Sequence, residues 1–373
     1  MVEGVDNTLL VEHRGKTIPF NLNGEQKEIT YLTRIDPLSG HVSKISEERA
    51  ARKLGISVNV DFKPIEKCDF CDFARQTPSQ RIEHQGGTVS VPNKYPWEKY
   101  DWVTLYPPFS QHKILLSDLN FEDMECMVES SYDLAAICAK DPDVLGFIDF
   151  TNWGIFAGAS QQHPHSQRKS VTFTPDPRQE QEMNWCRGVW ERCGRNPFDM
   201  LEEEELEQGS RVIHSQDVFI ASAFAPTCPD EVIIFPRYPL ANILQTTGHD
   251  RRTTIFPVLG VFPALFFYKG ITDLNIAVHM APFSLMEEAR SYYRWHMHIY
   301  PRRPRLPSDR AGAEIGFDIN VIDTLPENSA AVIRDWYRQG PREERLARLS
   351  NGDPNPRLVE ELRRVMNKQT DCL

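Results

Sequence analysis

The chain has 373 residues, 40% of them hydrophobic and 10% aromatic, enough to bury a large core and to build about two domains. Its 42 basic and 53 acidic residues leave a formal charge of -11, and no lysine- or arginine-rich run follows the chain, so no nucleic acid partner is expected. The longest apolar run, 255–268, is too short to span a bilayer and is interrupted by Pro257 and Pro263; the first thirty residues lack the basic, apolar and small-residue succession of a leader. These features read as a cytoplasmic protein with no membrane association, the run lying in its core.

In chain order, the first informative residues are Cys68 and Cys71, the only close pair among eight cysteines. They follow Lys63 and Pro64 in a turn-like segment, which suits a metal clip; a redox pair, the competing reading, usually opens a helix after a strand. A strand is expected at 101–106, before Pro107 and Pro108. A helix follows from near Asn120, with Asp123 in its first turn and Phe121, Met124, Met127, Leu134 and Cys138 at apolar spacing. A strand at 144–150 and a histidine-bearing strand at 163–173 complete this set.

The same order of parts then returns: a strand at 231–235 before Pro236, a helical stretch at 248–268, a strand at 274–279 and a second histidine-bearing strand at 294–300. The repeat suggests two related α+β halves, 1–195 and 211–373. Between them, 196–210 reads as an acidic connector whose four consecutive glutamates, 202–205, form a solvated run. The charged end of the chain, from Pro341, carries a short expected helix at 357–366 on the surface.

The segment His163-Pro164-His165-Ser166-Gln167 carries the chemistry. Alternate residues of a strand share a face, so two imidazoles and an amide would line one pocket, a costly arrangement for a packed core. A lone histidine is more often structural, but this triplet follows Asn152-Trp153-Gly154 and Gly158-Ala159-Ser160. Glycines let backbone approach a ligand closely, and free amides beside the Ser160 hydroxyl suit phosphate oxygens. Beside a nucleophilic histidine, such a loop implies phosphoryl or nucleotidyl transfer.

These residues resemble the galactose-1-phosphate uridylyltransferase family, a branch of the histidine triad superfamily, whose signature is His-Pro-His-X-Gln. The segment from Arg34 through Asp36, Pro37 and Gly40, followed by Ser46, Arg49 and Arg52, is similar to the family's Arg-Tyr-Asn-Pro-Leu-Thr-Gly segment and its two phosphate-facing arginines. Asn93 stands where the family has a nucleotide-contacting asparagine.

The resemblance implies two histidine-triad-like halves, each an antiparallel sheet with helices on one face, joined in a cytoplasmic homodimer with shared sites. His165 would be the nucleophile, taking a nucleoside monophosphate, UMP in the family, from a nucleoside-diphosphate sugar and passing it to a sugar 1-phosphate with ping-pong kinetics. Gln167, Ser160, Arg49 and Arg52 would stabilise charge on the phosphate oxygens, and Asn93, Asn152 and Gly158 would contact the nucleotide.

Cys68, Cys71, His112 and His163 fall at the family's four structural zinc positions, a closed set that leaves no place for water. The family's second metal, iron or zinc, would take His279, His296 and His298. Its carboxylate is best matched by Glu182, although strict alignment puts Gln181 in register and Glu180 competes. Where the family has Gly-Tyr-Glu to grip the hexose from the partner subunit, this chain has Gly316-Phe317-Asp318, which makes Phe317 and Asp318 the candidate sugar contacts and implies an altered acceptor. Gln167 cannot relay a proton as the third histidine of the related hydrolases can, which favours transfer to a phosphate group over hydrolysis. A phosphorylase using inorganic phosphate, and a binding module without turnover, are the two rival readings.

Overall fold

The computed structural model describes residues 8–17, 19–22, 25–47, 68–71, 80–106, 121–161, 163–173, 175–303 and 311–339. Arg49, Arg52, His112 and the expected helix at 357–366 lie outside the described residues.

The chain begins with β1 (Val11–Lys16), the small hairpin β2 (Phe20–Leu22) and β3 (Glu25–Lys27), then β4 (Thr30–Ile35) and β5 (Val42–Ile45). There follow β6 (Ile82–Glu83), β7 (Val89–Pro92), β8 (Asp101–Leu105), α1 (Phe121–Cys138), β9 (Gly146–Trp153) and β10 (His165–Val171). Two helices, α2 (Pro177–Cys193) and α3 (Pro197–Gln208), lead to β11 (Val212–Ser215), β12 (Val218–Ser222) and β13 (Val232–Pro236). The remaining elements are α4 (Gly248–Lys269), β14 (Asp273–His279), α5 (Met286–Ala289), β15 (His296–Arg302), α6 (Gly312–Phe317), β16 (Ile319–Ile322) and α7 (Pro326–Gln339).

Ten strands form one sheet in the order β11-β12-β13-β15-β14-β9-β10-β8-β7-β6, antiparallel at every join. The order is the same from either edge: β10 corresponds to β15, β9 to β14 and β8 to β13, and α1 and α4 make corresponding crossovers. The repeat seen in the sequence therefore appears as one α+β sheet, joined where β9 pairs with β14. A second sheet, β1-β4-β5-β16, pairs β5 with β16 in parallel, so strands from both sides of the 196–210 segment share it. Arg34 on β4 is 4% exposed and pairs at 2.8 Å with both Glu12 and Glu327, tying that sheet to α7.

Strand alternation divides the apolar side chains between two faces. Val218 and Ile220 of β12 and Val232 and Ile234 of β13 meet Ile255, Phe262 and Ile333 from α4 and α7, and α1 adds Met124 and Met127 to the same core. Their alternates, Phe219, Ala221, Ile233 and Phe235, meet Met183, Cys186, Phe198 and Leu201 from α2 and α3 on the opposite face. Helices thus cover one face along its length, as expected, and the other face over the β11–β15 part. The run 255–268 lies within α4, with Pro257 and Pro263 inside it. Among the described residues, no helix is long and apolar enough to cross a membrane.

The acidic segment corrects the expectation of a solvated connector. Pro197 opens α3 after the Asn196 cap, whose side chain accepts the Phe198 N–H at 2.9 Å. Glu202 and Glu205, one turn apart, are 6% and 1% exposed and pair with Arg237 and Arg211, while Glu204 accepts the Leu9 and Leu10 amides. The run is met by arginines from outside the helix: buried Arg211, just before β11, and exposed Arg237, just after β13.

Candidate active site and metal clusters

His165 opens β10, between β9 and β8, and its ring is 5% exposed. Its Nδ1 lies 2.8 Å from the His163 carbonyl oxygen, which can only accept, so Nδ1 carries the proton and the Nε2 lone pair is left for chemistry. Burial lowers its pKa, against the hydrogen bond to His163, and so favours the neutral, nucleophilic form. Phe70 packs its ring edge-on against His165 at 4.9 Å.

Gln167 lies on the same strand face, half-buried, paired with Phe150 on one side and Val103 on the other. Ser160 and Gly158 are exposed in the loop before the strand. Two glycines shape that loop: Gly158 caps a short helical turn at φ 82°, and Gly154 at φ 84° sits where a Cβ would collide with the Asp273 carboxylate. Asp273 accepts the Phe156 N–H at 2.9 Å and so anchors the loop to β14. Asn152 Oδ1 accepts from Asn275 Nδ2 at 2.7 Å, which leaves its own amide N–H groups to donate. Asn93 is engaged at both ends, donating to Asp101 at 3.0 Å and accepting the Tyr95 N–H at 3.0 Å.

Behind the strand, Ser166 and Arg168 face α1. Arg168 is 1% exposed, lies 3.3 Å from Asp149, and donates to the Met127 carbonyl at 2.6 Å and to Tyr106 at 3.2 Å. A cavity of about 50 Å³ adjoins this network. Reading only the reactive face of β10 missed this support, although alternation puts residues 166 and 168 together on the other side.

The structure brings together three of the four expected zinc ligands. One donor atom each from Cys68, Cys71 and His163 lies within 4.8 Å of the others, with Cys71 Sγ 3.5 Å from His163 Nδ1. Burial and then the adjacent Cys68 push the Cys71 thiol up to about 11, the direction a bound cation would reverse.

In the second cluster, donor atoms of Glu182, His279, His296 and His298 also lie within 4.8 Å of one another. His296 and His298 alternate along β15, and His279 is the register partner of His296 on β14. Glu182 comes from α2, whose buried residues Gln179, Glu182, Met183, Cys186 and Val189 form one helical stripe. Glu180 is exposed, and Gln181 donates to the Ser39 carbonyl at 3.0 Å, so Glu182 is the carboxylate that reaches the histidines.

Supporting contacts orient each group: His298 Nδ1 donates to Glu231 at 2.7 Å, His296 Nδ1 to the Arg294 carbonyl at 2.9 Å, and Arg178 holds Glu182 at 2.8 Å. Burial alone would raise the Glu182 pKa, but the charge and hydrogen bond of His279, with the adjacent His296, hold it well below the usual range. His296 is held down to about 4, first by burial. Its Nε2 is buried, 3.4 Å from Glu182 and without a hydrogen bond, an arrangement that a metal ion satisfies.

Phe317 is 78% exposed, and Asp318 is exposed at φ 52° as the cap of α6; both stand just before β16 of the second sheet.

The fold defines the class: an α+β protein whose continuous antiparallel sheet carries one histidine-bearing strand in each half. Within that class the chain resembles the galactose-1-phosphate uridylyltransferases. No family model matches it. It is 26% identical to the galactose-1-phosphate uridylyltransferase of Thermotoga maritima over 72% of this chain and 85% of that protein. It is 25% identical to the Neurospora crassa enzyme of the same name over 50% of this chain and 48% of that one, about half the relative's length. ADP-glucose phosphorylase of Arabidopsis thaliana is 26% identical over 52% of this chain and 53% of its own. A crystal structure of that phosphorylase with bound ADP-glucose shares the fold, with a TM-score of 0.69, 20% identity, and coverage of 81% of this chain and 98% of that one.

Proposed function

We propose that the protein is a nucleotidyltransferase that carries a nucleoside monophosphate on His165 between a nucleoside-diphosphate sugar and a sugar 1-phosphate. One observation carries the reading: the His163 carbonyl holds the His165 Nδ1 proton, so a neutral Nε2 remains as nucleophile on the strand face shared with Gln167. Nε2 attacks the α-phosphorus, the phosphorus–oxygen bond to the sugar phosphate breaks, and the imidazole becomes a phosphorus–nitrogen adduct. Attack by the acceptor's phosphate oxygen then reverses that step and frees Nε2. The Gln167 amide, Ser160 and the loop amides donate to the phosphate oxygens without giving up a proton, joined by Arg49 and Arg52 on the strength of the resemblance. UMP is the nucleotide suggested by the uridylyltransferase relatives.

Cys68, Cys71 and His163, with His112 from the resemblance, suit zinc, because two thiolates and two imidazoles close a tetrahedral set. Glu182, His279, His296 and His298 suit iron or zinc. In both places the metal would supply rigidity, and His163 would keep His165 in register. Exposed Phe317 and Asp318 are offered as sugar contacts across a homodimer. The two halves are taken as 1–195 and 211–373.

Incubation with UDP-glucose, UDP-galactose and ADP-glucose, followed by intact-protein mass spectrometry, tests the transfer. A nucleoside-monophosphate adduct mapped to His165 is expected; a protein that turns over the sugar with no adduct at any time point would overturn the reading. The kinship with ADP-glucose phosphorylase favours a second acceptor, inorganic phosphate. Discharge of the adduct by phosphate rather than by hexose 1-phosphates would select it.

A further inference from the structure

The turn after β7 holds two aromatic side chains in the open: Tyr95 is 85% exposed and Trp97 61%. Such rings normally bury most of their surface. Trp97 is nevertheless firmly anchored. Its backbone N–H donates to Asp101 Oδ2 at 3.1 Å, and Asp101 Oδ1 accepts from both Asn93, at 3.0 Å, and Lys169 Nζ, at 2.5 Å. The side chains of Lys169 and Asp101 are both 0% exposed. Desolvation offsets most of the attraction in so dry an ion pair, so its effect is mainly to fix geometry.

That geometry points along the reactive strand. Lys169 follows Gln167 by two residues and His165 by four, so it shares their face, about 13 Å along the strand from His165. Its Nζ lies 4.7 Å from the centroid of the Trp97 ring and 5.9 Å from that of Phe150, the register partner of Gln167. The indole rests on a buried cation and keeps exposed surface at the far end of the face that begins with the nucleophile. A nucleoside attached to His165 through its phosphate extends over a similar length and ends in a flat, uncharged ring system.

We infer that Trp97 is the stacking wall for the base of the nucleotide that His165 carries, with the Lys169–Asp101 pair as the device that positions it. The inference rests on the reading of His165 above and names what holds the other end of the same nucleotide. Stacking tolerates any base but gains with ring area, so a purine should benefit from Trp97 more than a pyrimidine.

Calorimetric titrations with AMP, UMP and inorganic phosphate test it in the full chain and in Trp97→Ala, Trp97→Phe, Lys169→Met and Lys169→Arg. Trp97→Ala should weaken AMP by about tenfold or more and UMP by less, leaving phosphate unchanged, and Trp97→Phe should recover most of the loss. Lys169→Met should reproduce the alanine pattern, and Lys169→Arg should rescue it. AMP should quench fluorescence in the wild type more than in Trp97→Phe, which still binds. AMP binding unaffected by Trp97→Ala, phosphate lost in parallel with AMP, or no nucleotide binding by the wild type would each overturn the wall. Nucleotide binding through Trp97 without an adduct at His165 would instead refute transfer and leave the wall standing.

Discussion

The two histidine-bearing strands solve the same backbone problem and diverge in what is packed over them. In β10, His165 Nδ1 is tied to the carbonyl two residues earlier at 2.8 Å; in β15, His296 Nδ1 is tied to the Arg294 carbonyl in the same way at 2.9 Å. Both ties leave Nε2 aimed away from the backbone. Over His296 lies α2, whose Glu182 comes within 3.4 Å of that nitrogen and completes a cluster of three imidazoles and a carboxylate. His165 instead meets the ring of Phe70, in the Cys68–Cys71 turn, and among the described residues no carboxylate pairs with it. In the function proposed above, one strand motif serves as nucleophile in β10 and as ligand in β15, and what is packed over each imidazole, Glu182 above all, separates the two roles.

Exchanging roles would break the comparison most sharply. His165→Ala should abolish adduct formation, with transfer lower by on the order of 10⁶, whereas His296→Ala should keep the adduct and instead lose one equivalent of metal by elemental analysis. Equal loss of labelling in both variants would end the distinction. Gln167→Ala should label more slowly by about 10² to 10³ in rapid-quench experiments, because one donor to the phosphate oxygens is gone. On the metal side, Glu231→Gln should weaken the hold on His298 and lower metal affinity by about 10- to 100-fold in competition with a chelator, with the adduct still forming. The mildest change sharpens the contrast at the loop: Gly154→Ala should destabilise by about 1–3 kcal/mol in urea unfolding, since positive φ and the Asp273 carboxylate both oppose a Cβ.

Much of this was legible before the fold. Alternation in 163–167 and 294–300 put the paired histidines on common faces, and the order of strands and helices announced the repeat. Glu182 was the best match from the sequence, and a wheel of the helix opened by Pro177 sets aside its rival: residues 179, 182, 183, 186 and 189 make a stripe that excludes Glu180. The acidic run was misread because the partners of Glu202 and Glu205, Arg237 and Arg211, come from outside the helix and leave no local pattern. Asp273 beneath Gly154, and the Asp101 carboxylate that gathers Asn93, Trp97 and Lys169, are likewise tertiary facts. A local pattern reports which face a residue takes; it carries no sign of which distant group waits there.

The seam between β9 and β14 has a kinetic consequence. Five register pairs and the Asn152–Asn275 hydrogen bond weld the two parts of the sheet, so one cannot swing away from the other without breaking the ladder between them. In the double-displacement cycle proposed above, the first product must leave before the second substrate enters through the same door. With the floor rigid across its middle, that traffic has to be handled by the surface turns above it, and turnover should respond to changes in those turns far more than to changes along the join.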